Sequence, residues 1–178
     1  MLQRIKINMD VMETMLYFWQ ATSEKEKVSE KYLNDLAKMP GLSYTYDDEF
    51  NAESVRKVLS AITNREPFAS KIKKESRFWN NNMWMLEDLA YMDSILQPLK
   101  KLNLDHLVDE INKAVPAGKY EDVEVFFSPL HLEDCYEVEN KLIINFFMII
   151  PDFEGSLKVG ELQLVEYIKE KIAELITK

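Results

Sequence analysis

The sequence predicts a helix-rich α+β fold in a single domain, residues 1–178. About four helices are expected in the N-terminal two-thirds, packed with a small, mainly antiparallel sheet of three or four strands and a C-terminal helix. Three observations predict this. Apolar residues recur at helical spacing through the first part of the chain, β-branched and aromatic residues take over after Pro116-Ala117-Gly118, and helical spacing returns at the C-terminal end. The helical part is expected at about 8–115 and the sheet with its terminal helix at about 120–177.

Leu2, Ile5 and Ile7 alternate briefly before Asn8, a residue suited to an N-cap. Met12, Met15, Leu16 and Trp19, then Leu33, Leu36 and Met39, predict one long helix from Asn8 to Met39, stopped by Pro40-Gly41. Its polar middle, SEKEKVSEK, is expected to project into solvent. LSYTYDDEF fits a short strand or a packed loop equally well. Asn51 then precedes the most regular amphipathic helix, with Val55, Val58, Leu59 and Ile62 on one face and Pro67 just beyond its end.

A third helix is expected from about Ser70 to Gln97, placing Phe78, Met85, Leu89, Met92 and Leu96 on a core face. Pro98 kinks or ends it, and Asn103 begins a shorter helix carrying Leu104, Leu107, Val108 and Ile111. VEVFF (123–127), CYEV (135–138) and LIINFFMII (142–150) read as strands, with Glu139-Asn140-Lys141 turning the last two into an antiparallel hairpin. The near-continuous apolar third strand predicts burial on both faces and a central place in the sheet. DFEGS is a turn, Leu157–Val159 a possible fourth strand, and Leu162, Val165, Ile168, Ile172 and Leu175 the inner face of the last helix.

Composition narrows the function classes. Thirty-one acidic against 22 basic side chains leave a net charge of −9, whose field disfavours nucleic acid and anionic membrane surfaces. The cations Lys71, Lys73, Lys74 and Arg77 cluster, but read as a solvated helix face. A lone cysteine, Cys135, permits neither an internal disulfide nor a cysteine zinc cluster and points to a reducing, cytoplasmic setting. Arg4, Lys6, Asp10 and Glu13 interrupt what would have to be the apolar stretch of a signal peptide. No apolar run approaches the roughly 20 residues of a membrane-spanning helix.

The least ordinary stretch is Arg77-Phe-Trp-Asn-Asn-Asn-Met-Trp-Met-Leu-Glu-Asp-Leu-Ala-Tyr91, because three consecutive asparagines weaken a helix. On a continuous helix Arg77, Asn81, Trp84, Asp88 and Tyr91 form one polar and aromatic stripe, able to meet an anion, make directional hydrogen bonds and flank a ligand. The competing structural reading makes Trp84 and Tyr91 core-edge residues, pairs Arg77 with a carboxylate and lets the asparagines mark a helix break.

His131-Leu-Glu-Asp-Cys135 gathers metal-binding and nucleophilic groups, yet locality alone does not make them converge, and a solvated turn with a half-buried thiol is the plainer reading. His106 reads as an exposed helix residue. Glu166, Glu170 and Glu174 read as a solvated helix face, and their helix lacks the histidines of a His-Glu-x-x-His zinc site. Gly41, Gly118, Gly155 and Gly160 are too scattered for a phosphate loop. No cofactor and no metal is expected.

Nine methionines, nine phenylalanines, eight tyrosines and three tryptophans, with no recognisable catalytic set, favour a non-enzymatic protein that binds a protein partner or self-associates as a homo-oligomer. The alternative is a small-molecule binder or enzyme using the five stripe residues. A weaker alternative is a metal-dependent hydrolase using His131.

Overall fold

A computed structural model describes residues 1–178. The alternating start is a strand, β1 (Arg4–Asn8), and the expected long helix is three helices: α1 (Asp10–Ser23), α2 (Glu30–Ala37) and α3 (Pro40–Ser43). The polar middle breaks it. Lys25 adopts a φ of 66°, and the Glu26 amide donates back to the Ala21 carbonyl at 2.9 Å, a left-handed helix ending. Ser29 then caps α2 by accepting from the Tyr32 amide. Asn8 accepts from the Asp10 amide at 3.0 Å and so orients the start of α1 from two residues away.

The helix expected after Asn51 is α4 (Ala52–Thr63), with Asn51 and Ser54 capping each other reciprocally. LSYTYDDEF ends α3 with Leu42 and Ser43 and continues from Tyr44 as a loop, held by the Asp47 carboxylate accepting from the amides of Glu49 and Phe50. The expected helix 70–97 is two, α5 (Lys73–Glu87) and α6 (Leu89–Lys100), because Asp88 leaves helical geometry and caps the second by accepting from the Tyr91 amide at 2.9 Å. Four of its expected core residues are buried, whereas Leu89, at the start of α6, is half-buried. Pro98 sits inside α6 without ending it. Asn103 makes a turn with Asp105, and α7 (Leu107–Ala114) begins later than its spacing predicts.

The α+β class is borne out, with a mixed four-stranded sheet and a three-stranded antiparallel one. The first contains β1, β2 (Asp122–Ser128), β3 (Cys135–Val138) and β4 (Lys141–Asn145) in the order β1-β2-β4-β3. β1–β2 and β2–β4 are parallel; β3–β4 is the expected antiparallel hairpin, with Glu139 at a φ of 54° in its turn. β4 is interior and buried, as its apolar run requires.

LIINFFMII is not one strand. Asn145 is fully buried; its side-chain oxygen accepts from the amides of Leu130 and Phe147, and its Nδ2 donates to the Glu133 carbonyl at 3.0 Å. Those bonds turn the chain through a 3₁₀ turn, Phe146–Met148, into a second sheet of β5 (Ile149–Pro151), β6 (Leu157–Val159) and β7 (Leu162–Gln163), all antiparallel. Leu162 therefore lies on a strand and is exposed, not on the inner face of the terminal helix α8 (Leu164–Thr177). α3 lies against β2, where Gly41 meets Ser128, while α8 crosses the opposite face and seats Tyr167 beside Cys135. One continuous cluster of buried apolar side chains joins all these layers.

Candidate functional site

Asp88 bends the stripe residues out of line. Arg77, Asn81 and Trp84 remain on the outer flank of α5; Asp88 is the hinge, its carboxylate used as a cap, and Tyr91 belongs to α6. Arg77 is exposed without an ion pair or hydrogen bond. Asn81 donates to the Leu130 and His131 carbonyls at 3.4 and 3.5 Å, and Trp84 is 67% exposed. The three asparagines have three separate environments: Asn80 is exposed, Asn81 steadies the 130–131 loop, and Asn82 is buried against Trp19.

A second line on α5, Trp79, Met83 and Leu86 at i, i+4 and i+7, faces the concave side. With Ala61 and Ile62 it floors a groove of about 530 Å³ between α5 and the C-terminal ends of α1 and α4, within the size range of ligand and side-chain pockets. Both helices end here in the same way. Arg65, with a φ of 57°, repeats the Lys25 turn, and the Glu66 amide donates back to the Ala61 carbonyl at 2.8 Å. Helix C-termini present partial negative charge, and Glu66 and Glu87 add two carboxylates to the rim. Arg65 offsets part of this by donating to the Thr22 carbonyl at 3.2 Å. The result is an apolar floor with an acidic margin. None of the five stripe residues lines it. Sequence reasoning missed the groove because the second apolar line on α5 was overshadowed by the neighbouring polar one.

His131 is not in a solvated turn. It is fully buried, its ring 4.5 Å from Phe50 and 5.9 Å from Tyr136 between centroids, and its Nδ1 accepts from the Leu132 amide at 2.9 Å. Nε2 therefore carries the proton, and no hydrogen-bond acceptor meets it. Burial, reinforced by the Lys74 charge, pushes its pKa down to about 4 against a weaker pull from Asp47. Glu133 and Asp134 do not join it, and Cys135 begins β3 on the other side of the sheet, its thiol pushed up by burial. Nowhere in the chain do three His, Cys, Asp or Glu side chains come together to hold a metal ion, so the hydrolase reading of His131 has no ligand set. His106 is exposed just before α7, and Glu166, Glu170 and Glu174 are exposed along α8. No helix is long and apolar enough to cross a membrane.

Comparison with protein-family models, curated proteins and solved structures finds no match for this chain.

Proposed function

We propose that this chain is a non-enzymatic binding protein that seats an apolar, basic segment of a protein partner in the groove between α1, α4 and α5. The observation that carries the reading is the groove's composition: Ile62, Trp79, Met83 and Leu86 beneath two carboxylates and two helix C-termini. An apolar side chain flanked by lysine or arginine satisfies both parts, and the net charge of −9 steers such a partner toward the protein. A protein that binds by an open groove needs no converging acid, base or nucleophile.

The test is calorimetric titration with two amphipathic helical peptides of identical leucine pattern, one with lysine and one with glutamate on its polar face. The lysine peptide should bind, weaken with salt, and lose at least tenfold in affinity to Met83→Asn. A lysine peptide bound equally by Met83→Asn would show attraction to bulk charge alone and defeat the reading.

A second reading retains Arg77, Asn81 and Trp84 as a ligand-contacting face on the outer flank of α5. It is favoured by the exposure of Trp84 on the same helix face as an unpaired Arg77, two turns away. Tyr91 and Asp88 take part only from across the helix break. Loss of binding in Trp84→Ala, with Met83→Asn unaffected, would select this face over the groove.

A further inference from the structure

β3 is the last strand of its sheet, so one side of it meets no other strand. The Asn145 amide donates to the Asp134 carbonyl at 2.9 Å, which sets the phase of the antiparallel ladder: Asp134, Tyr136 and Val138 direct their backbone groups at β4, and Cys135 and Glu137 direct theirs outward. No turn, loop or cap uses the outward groups of these two residues. Unpaired strand edges of this kind are templates for adding another strand.

A hollow of about 510 Å³ follows this edge. Lys74 of α5 stands on one side of it, Lys171 of α8 and Lys178 just past that helix on the other, with Glu137 on the strand, Glu133 just before it and Glu174 at the margin. Three lysines and three glutamates make it locally neutral, in a chain whose net charge is −9. Two copies repel each other through most of their surface, but not along this strip.

We infer that a second copy of this chain adds across β3, antiparallel, about a two-fold axis at Tyr136. The strand's phase dictates the register. With Tyr136 opposite its symmetry mate, Cys135 of each copy faces Glu137 of the other, and these pairs exchange four backbone hydrogen bonds using the groups that are free in one chain. Cys135 and Glu137 lie on the α8 face, where Glu137 pairs with Lys178 and the Lys171 charge reaches Cys135. Each Glu137 thus enters the field of the other copy's Lys171, whose own contact with Glu174 is a loose 3.7 Å. The two four-stranded sheets become one of eight. This surface is separate from the groove, so either assignment stands or falls without the other.

Light scattering on the eluted chain, from micromolar to about 500 µM, tests it. The expected mass is twice 21.0 kDa. Glu137→Pro removes an outward amide that the folded chain does not use, so it should keep the wild-type circular dichroism and raise the dimer dissociation constant about a hundredfold. In a Cys135→Ser background, Tyr136→Cys should oxidise to a covalent dimer, because facing residues of a non-hydrogen-bonded pair lie within disulfide reach. A wild-type chain that stays monomeric throughout, a dimer that folded Glu137→Pro leaves intact, or Tyr136→Cys that fails to cross-link would each overturn the inference. Should Glu137→Pro not fold, the light-scattering mass and the cross-link decide.

Discussion

The indole N–H of Trp19 donates to the side-chain oxygen of Asn82 at 3.0 Å, and both residues are fully buried. Asn82 in turn donates to the Phe78 carbonyl at 2.8 Å one helical turn back. The last of the three asparagines is therefore the internal partner that a buried tryptophan requires, fastening α5 to α1.

Replacing Asn82 by alanine leaves the Trp19 N–H unpaired in an apolar interior. The expected cost is about 2–3 kcal/mol, read as a lowered urea midpoint with an unchanged slope. Asn80→Ala, on the exposed face, should be neutral or stabilise by about 0.5 kcal/mol through helix propensity. Equal effects of the two substitutions would remove the distinction.

His131 makes stability depend on pH in a defined window. Its unfolded pKa lies near 6.5 and its folded pKa at about 4, so the unfolded chain binds the proton first as pH falls. The contribution is complete above pH 6.5 and is lost as pH falls through about 4. Between pH 7.5 and pH 5 the loss should be about 2 kcal/mol. His131→Asn retains an acceptor for the Leu132 amide and should flatten that stretch of the stability profile.

Glu75 ties the start of α5 to α4. Its carboxylate is 2% exposed and accepts from Ser54 at 2.6 Å and Ser70 at 2.7 Å, with the Lys57 ammonium at 2.9 Å. Burial by itself raises the pKa, but the bonds from Ser54, Lys57 and Ser70 outweigh it and hold the group below its ordinary value. Its stabilisation is therefore present above the usual glutamate pKa and disappears as pH falls through the lower folded one. Glu75→Ala should cost about 2–3 kcal/mol at pH 7 in denaturant titration. Lys57→Met leaves both serine bonds but takes the countercharge from a buried carboxylate, and should cost about 1–2 kcal/mol, less than Glu75→Ala because the ammonium itself is partly solvated.

Gly41 is where α3 approaches the sheet. A Cβ there would lie 2.8 Å from Val11 Cγ2 and 2.9 Å from Ser128 Oγ, and Ser128 donates to the Gly41 carbonyl at 2.7 Å. Gly41→Ala should destabilise by about 1–3 kcal/mol through overpacking. Combining it with Ser128→Ala, which vacates one of the two clashing positions, should cost less than the sum of the single changes, as a double-mutant cycle would measure.

The class of fold is legible in the sequence because hydrophobic spacing and turn chemistry act locally: the Asn51 cap, the Val55–Ile62 face, the hairpin at Glu139 and the buried run of β4 all follow from neighbouring residues. The sequence also singles out the stretch from Arg77 to Tyr91 as unusual. The environments of its asparagines arise only on packing, since the partner of Asn82 is 63 residues away and the acceptors for Asn81 are about 50 away. The bend at Asn145 depends on the Leu130 amide and the Glu133 carbonyl, in a loop 15 and 12 residues earlier, and the pairing of β1 beside β2 joins residues more than a hundred positions apart. The groove arises where two helices end against a third. Periodicity marks the faces of helices one at a time, but only packing determines which of those faces are left without a cover.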